Sequence, residues 1–135
     1  MIKVEKCVFQ YIEHELYCYD DTRKDLEFQI QEIIHGKLMP DVKVQNEPGD
    51  TTSNKAIRLA TSAYILQAEK NLKAIDKALD MLADIHRELF KLKYQSRLSW
   101  KEVMLEMNIS ESTYFRLRRT LVTAVGQKMG LLNIK

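Results

Sequence analysis

The chain has 135 residues, enough for one domain, or a small domain with a helical appendage, and enough to bury a core without disulfide or metal staples. Only four glycines and two prolines punctuate it, which favours long helices over a many-stranded sheet, so an all-α fold is expected. The net charge is +2, no apolar run reaches the length of a bilayer, and Met1–Glu5 lacks a signal peptide's layout, so a cytoplasmic protein with no membrane partner is expected.

Val4, Val8, Ile12 and Leu16 recur every four residues and predict an amphipathic helix over 3–18. Asp20, Asp21 and Thr22 are N-cap candidates for a second helix, with its apolar stripe at Leu26, Ile30, Ile33 and Ile34 and its stop at Gly36. Together they predict an N-terminal helical hairpin over 1–36. Residues 37–54 contain both prolines and a Pro-Gly pair, and read as a linker.

From Ile57 to Leu92 apolar residues return every three or four positions, and no Gly or Pro interrupts 55–98. One unbroken helix would present a coiled-coil-like seam and favour a homodimer through it. A break near Leu82, Ala83 and Asp84, with Asp84 as a cap, is preferred. It leaves a long central helix over 55–83 and provides the C-terminal unit, 84–135, with its own first helix.

The C-terminal unit carries the most specific signals. Ser99 followed by Glu102 forms a capping box, and Leu98 with Val103 forms the accompanying hydrophobic staple. The helix that starts there runs to about Met107, with Val103, Met104 and Met107 facing inward. Asn108 suits a left-handed turn position, Ile109 plugs the turn, and Ser110 caps a second helix from Glu111 to about Met129, stopped by Gly130. A short helix, a brief turn and a capped second helix are the layout of a helix-turn-helix.

On the second helix Tyr114, Leu117, Leu121 and Val125 fall in one stripe, the expected core side. Ser112, Arg116, Arg119 and Thr123 lie almost opposite, with Phe115 on their flank. Arginine grips guanine O6 and N7 in a bidentate way, hydroxyls bond several bases, and Phe115 could meet a thymine methyl. Arg118 sits nearer the core edge, where a phosphate contact is expected. Glu111 supports the helix through its macrodipole and is expected to point away from DNA. Charge agrees with this placement. Residues 85–135 hold ten Lys and Arg against four acids, a net +6, whereas residues 1–84 hold 11 against 15, a net −4. The competing readings are uneven surface charge and a solvated Arg-rich helix face.

Other chemistry finds little support. Cys7, His14 and Cys18 could share one side of the first helix, but a zinc site would need His35 from the second helix, and small buried cysteines are the usual case. His86 stands alone, as a surface or rim residue. There is no phosphate loop and no nucleophile motif. Glu13, Glu15, Asp20, Asp21, Asp25 and Glu27 read as solvated faces and caps, and Trp100 as packing over the domain. No enzyme, metal or cofactor is expected.

The runs Leu89–Tyr94, Ser99–Val103 and Asn108–Tyr114 resemble the C-terminal half of the RinA/ArpU-type transcriptional regulators of phages and prophages of Gram-positive bacteria, and also region 4 of bacterial sigma factors. Leu16–Asp20, Leu26, Ile33 and Pro40 are similar to the tyrosine-bearing hairpin of these regulators. The resemblance implies an activator that binds double-stranded promoter DNA and switches on late genes for packaging and morphogenesis. Carried over by position, Ser112, Thr113, Phe115, Arg116 and Arg119 would be the readers, and Lys101 and Ser110 phosphate contacts. Met104 and Asn108 depart from the Ala and Gly usual at those positions. The remaining surface is then available for RNA polymerase or self-association. Two other functions stay open: a packaging protein of small-terminase type, and a helical, sigma-like adaptor that binds RNA polymerase without DNA.

Overall fold

The computed structural model describes residues 4–34 and 52–132, without the side chains of Ile33 and of residues 52–60. The described secondary structure is all helical: α1 (Lys6–Tyr17), α2 (Tyr19–Ile34), α3 (Thr52–Met81), α4 (Asp84–Leu89), a π-helical segment (Phe90–Gln95), α5 (Trp100–Met107) and α6 (Glu111–Lys128). No described helix is long and apolar enough to cross a membrane. The expected linker, 37–54, falls outside the described residues up to position 51, as do Gly36 and His35; α3 has begun by Thr52.

The chain divides into two units, residues 1–20 with 71–135, and residues 21–70. This differs from an N-terminal hairpin standing as its own domain. The four-residue stripe of α1 explains the difference: Ile12 and Leu16 are fully buried, and α1 packs against α6 and the π-helical segment. α2 starts at Tyr19, with only Cys18 between it and the end of α1. Asp20, Asp21 and Thr22 therefore lie within α2 and do not precede it as caps. In the second unit Leu26 and Ala68 are buried, and the Tyr64 hydroxyl donates to Asp25 Oδ2 at 2.5 Å.

The break after α3 falls where the sequence placed it. Its capping chemistry does not. Ala83 is the N-cap of α4 and makes no side-chain bond, while Asp84 stands in the first turn and pairs with Arg87. The Arg87 guanidinium donates to the carbonyl oxygens of Leu79 and Leu82 at 2.5 and 2.7 Å. It thus satisfies acceptors that the end of α3 leaves open. Part of the apolar stripe of α3 is used within the chain: Leu72, Ile75 and Ala78 are buried, whereas Tyr64 is 40% exposed.

The first unit is organised around Ile12, Leu16, Ile75, Leu89, Tyr94, Val103, Tyr114, Leu121, Val122 and Val125, each nearly or fully inaccessible. Gly126 lets α1 approach α6. A Cβ there would stand 2.7 Å from Ile12 Cδ1 and 2.9 Å from Leu132 Cδ1. α6 ends by a Schellman arrangement: Gly130 takes φ 79°, its N–H donates to Gln127 O, and the Leu131 N–H donates to Gly126 O.

Candidate nucleic-acid interface

Both helices of the C-terminal pair begin with the caps their sequences call for. Ser99 Oγ accepts from the Glu102 N–H at 3.2 Å, and Glu102 Oε1 accepts from the Ser99 N–H at 3.0 Å. Hydrogen bonds from the Ser99 backbone N–H and side chain hold the Glu102 carboxyl below its ordinary pKa. Val103 is fully buried and Leu98 half-buried, as a staple requires. Asn108 takes φ 54° and ψ 52°, and the N–H groups of Asn108 and Ile109 donate to Leu105 O and Met104 O. That pair of bonds closes α5 by the same Schellman logic that closes α6, with Asn in the glycine position.

Ser110 caps α6. Its Oγ accepts from the Thr113 N–H at 3.2 Å and lies 3.0 Å from Thr113 Oγ1. Ser110 and Thr113, expected among the DNA contacts, are thus engaged with each other in the cap. Ser112, Arg116 and Arg119 are exposed, while Tyr114, Leu117, Leu121 and Val125 are buried, so α6 divides into faces as its periodicity predicts. Thr123, expected on the outer face, is only half exposed. Phe115 packs edge-on against Tyr114 at 5.0 Å and tilted against Trp100 at 6.2 Å, yet remains 42% exposed. Lys101 is exposed in the first turn of α5, with its ammonium 5.6 Å from the Trp100 ring.

Arg118 is the correction among the expected contacts. Its Nε and Nη2 donate to the two carboxylate oxygens of Glu13 at 2.8 and 2.7 Å, and its guanidinium lies 4.9 Å from the Phe9 ring. It faces α1 and is not directed outward to a phosphate. Glu13 is accordingly no solvated acid. Burial pushes its carboxyl up, but the bonds from Arg118 and from the Tyr94 hydroxyl, at 2.6 Å, outweigh burial and hold it below its ordinary value. The same pairing raises Arg118. Tyr94, buried and beside that carboxylate, is raised as well.

Beside this pair lies a buried lysine that local patterns do not reveal. The Lys93 ammonium donates to the Tyr17 hydroxyl at 2.9 Å and stands 5.1 Å from the Tyr94 ring and 5.9 Å from the Tyr114 ring. Burial acts to lower its pKa, but the tyrosine hydroxyls reverse this, and the net shift is upward. The π-helical segment places Phe90, Lys93 and Tyr94 inward together, and its widened turn shows in the Ser96 N–H donating to Lys91 O. Glu13, Lys93 and Tyr94 carry no sequence signal of their own, because their partners are remote in sequence.

His86 is half-buried, and its Nδ1 is enclosed without a hydrogen-bond partner. Burial lowers its pKa, opposed by a bond with Ala83 and reinforced by the charges of Arg116 and Arg87. Of the residues weighed for zinc, Cys18 Sγ lies 3.6 Å from His14 Nε2 and Cys7 is exposed.

Residues 18–127 match the model of a family described as "Protein of unknown function (DUF722)". The matched span takes in α5 and most of α6 and leaves out α1. No curated protein matches the chain, and no solved structure does.

Proposed function

We propose that this chain, which belongs to the DUF722 family, is a sequence-specific DNA-binding protein and not an enzyme, reading double-stranded promoter DNA with the outer face of α6. The observation that carries this reading is the exposed set Ser112, Arg116 and Arg119, on a helix whose opposite face is fully occupied by the core. Such a face offers hydroxyl and guanidinium donors to base edges once the helix lies in a major groove. Phe115 adds an apolar edge beside them, and Lys101 an ammonium for the phosphate backbone. Ser110 and Thr113 act at the helix start, where backbone N–H groups favour an anion.

The resemblance to RinA/ArpU-type regulators makes the role that of a phage-encoded activator of late genes, working in a bacterial cytoplasm beside the host RNA polymerase. The basic C-terminal region supports attraction to DNA, with its ten Lys and Arg against four acids.

A labelled duplex from the DNA next to the protein's own gene tests the reading. Binding should weaken steeply with salt. Arg116→Ala and Arg119→Ala should each cost about 1–3 kcal/mol at that site if they read bases. Unchanged affinity in both variants would remove α6 as the reader. No DNA binding at low salt, with binding to polymerase retained, would favour the adaptor function instead.

A further inference from the structure

Phe115, the apolar member of the proposed reading face, is held by two aromatic rings. Trp100 is the first residue of α5, where the Ser99–Glu102 capping box fixes the backbone. Its ring lies against Phe115 of α6, with centroids 6.2 Å apart and planes at 37°. Phe115 also meets Tyr114 edge to face, at 5.0 Å and 82°. Tyr114 is 1% exposed, so that contact is anchored in the core. A phenylalanine ring turns about only two side-chain bonds, and two such contacts leave it little freedom to lose on binding.

Phe115 nevertheless remains 42% exposed, and Trp100 39%. Single exposed apolar side chains are ordinary. What sets this one apart is its neighbours. At the helical repeat Phe115 falls about 40° from Arg119 and about 60° from Ser112 around α6. Both neighbours are exposed. In a major groove every base pair offers donors and acceptors, and only thymine adds a methyl group. A fixed apolar ring among polar donors therefore has one matching group there.

We propose that Trp100 is a positioning residue, holding Phe115 where its ring selects a thymine, through the C5-methyl group, within the site that Arg116 and Arg119 read. The inference rests on the reading of duplex DNA by α6, and adds to it one specified base and one residue that acts through its neighbour. Without the indole, Phe115 keeps Tyr114 as a ring partner but loses the contact from α5. The ring is then still present and no longer held in place.

Uracil in place of thymine preserves base pairing and removes only the methyl group. The labelled duplex from the DNA next to the protein's own gene is therefore prepared with each thymine in turn replaced by uracil. One replacement should weaken binding of the full chain about fourfold, the factor for burying one CH2 group. That loss should vanish in Phe115→Ala. Trp100→Ala should lose most of the thymine preference, and so should Trp100→Leu, which keeps apolar cover over the start of α5 if the alanine variant loses helix. Trp100→Phe, which retains an aromatic ring, should restore it. A merely structural tryptophan would weaken both duplexes alike and leave their ratio intact, and that result overturns the proposal. So does a preference that survives Phe115→Ala, or duplex binding that no uracil replacement alters. Absence of duplex binding would overturn the reading of DNA by α6 as well, so the two failures are told apart.

Discussion

Glu13 accepts both guanidinium bonds of Arg118 across 105 positions of sequence, tying α1 to the helix proposed to read DNA. The two side chains are 13% and 29% exposed, so the pair is enclosed enough for its geometry to matter. α1 lies outside the matched family span, yet it braces α6 through this ion pair and through the close approach of Ile12 at Gly126.

Removing one partner should leave the other charge poorly solvated. Glu13→Gln is expected to lower stability by about 2 kcal/mol, within the range for hydrogen bonds to charged groups. A double-mutant cycle with Arg118→Met, followed by urea unfolding, measures the coupling. A coupling of only a few tenths of a kcal/mol would place the pair with ordinary surface ion pairs.

The pH dependence follows from the same carboxyl. Its folded pKa is depressed below the ordinary 4.5, so its contribution is complete above that value and disappears as pH falls through the folded pKa. Stability of the parent chain should therefore drop below about pH 4.5, and the drop should be shallower in Glu13→Gln. Parallel acid profiles in the two chains would assign the loss to other carboxylates.

Arg118 should behave unlike its neighbours on DNA. Because it is engaged with Glu13, Arg118→Ala should leave the salt slope of duplex binding unchanged. An arginine or lysine that does contact phosphate should reduce that slope by about one when removed. Titrations of Arg118→Ala and Lys101→Ala at several salt concentrations compare the two cases. A reduced slope for Arg118→Ala would mean that the pair opens on binding.

The cap at the start of α5 can be tested without DNA. Ser99→Ala removes the acceptor for the Glu102 N–H and should cost about 1 kcal/mol, whereas Ser99→Asp should restore most of it. Thermal unfolding monitored at 222 nm, the usual helix band, gives both values. Equal melting of all three chains would show that burial of Val103 alone holds this helix start.

Gly126 illustrates a contact that sequence does not announce, since an isolated glycine inside a helical pattern looks merely unfavourable. Gly126→Val should destabilise by about 1–3 kcal/mol through overpacking against Ile12, despite the gain in helix propensity from losing glycine. Denaturant unfolding provides the measurement. A stabilised variant would show that α1 yields at this crossing.

Local order along the chain was legible because its causes are local. Caps, turn and stripe in 99–130 each involve residues within one or two turns, so Ser99, Asn108, Ser110 and Gly130 mark their own roles, and the buried and exposed faces of α6 follow from helical periodicity. The all-helical class and the break after α3 belong to the same level. The cap of that break falls one residue earlier, at Ala83, and Asp84 in the first turn pairs with Arg87, which also reaches back to the carbonyls of Leu79 and Leu82.

What only the tertiary structure decided is who meets whom across long separations. An amphipathic stripe says that α1 must bury Ile12 and Leu16 but not against what, so a local hairpin was the natural expectation, and α6 was the partner found. An arginine near the edge of a core stripe can turn outward or inward, and Glu13, brought in by α1, turned Arg118 inward. Lys93 likewise has no sequence cue, because its stabilisation comes from tyrosines on three separate elements. Helix formation and capping are short-range and written in neighbouring residues; pairing of charges and of helix faces depends on packing, which no short window contains.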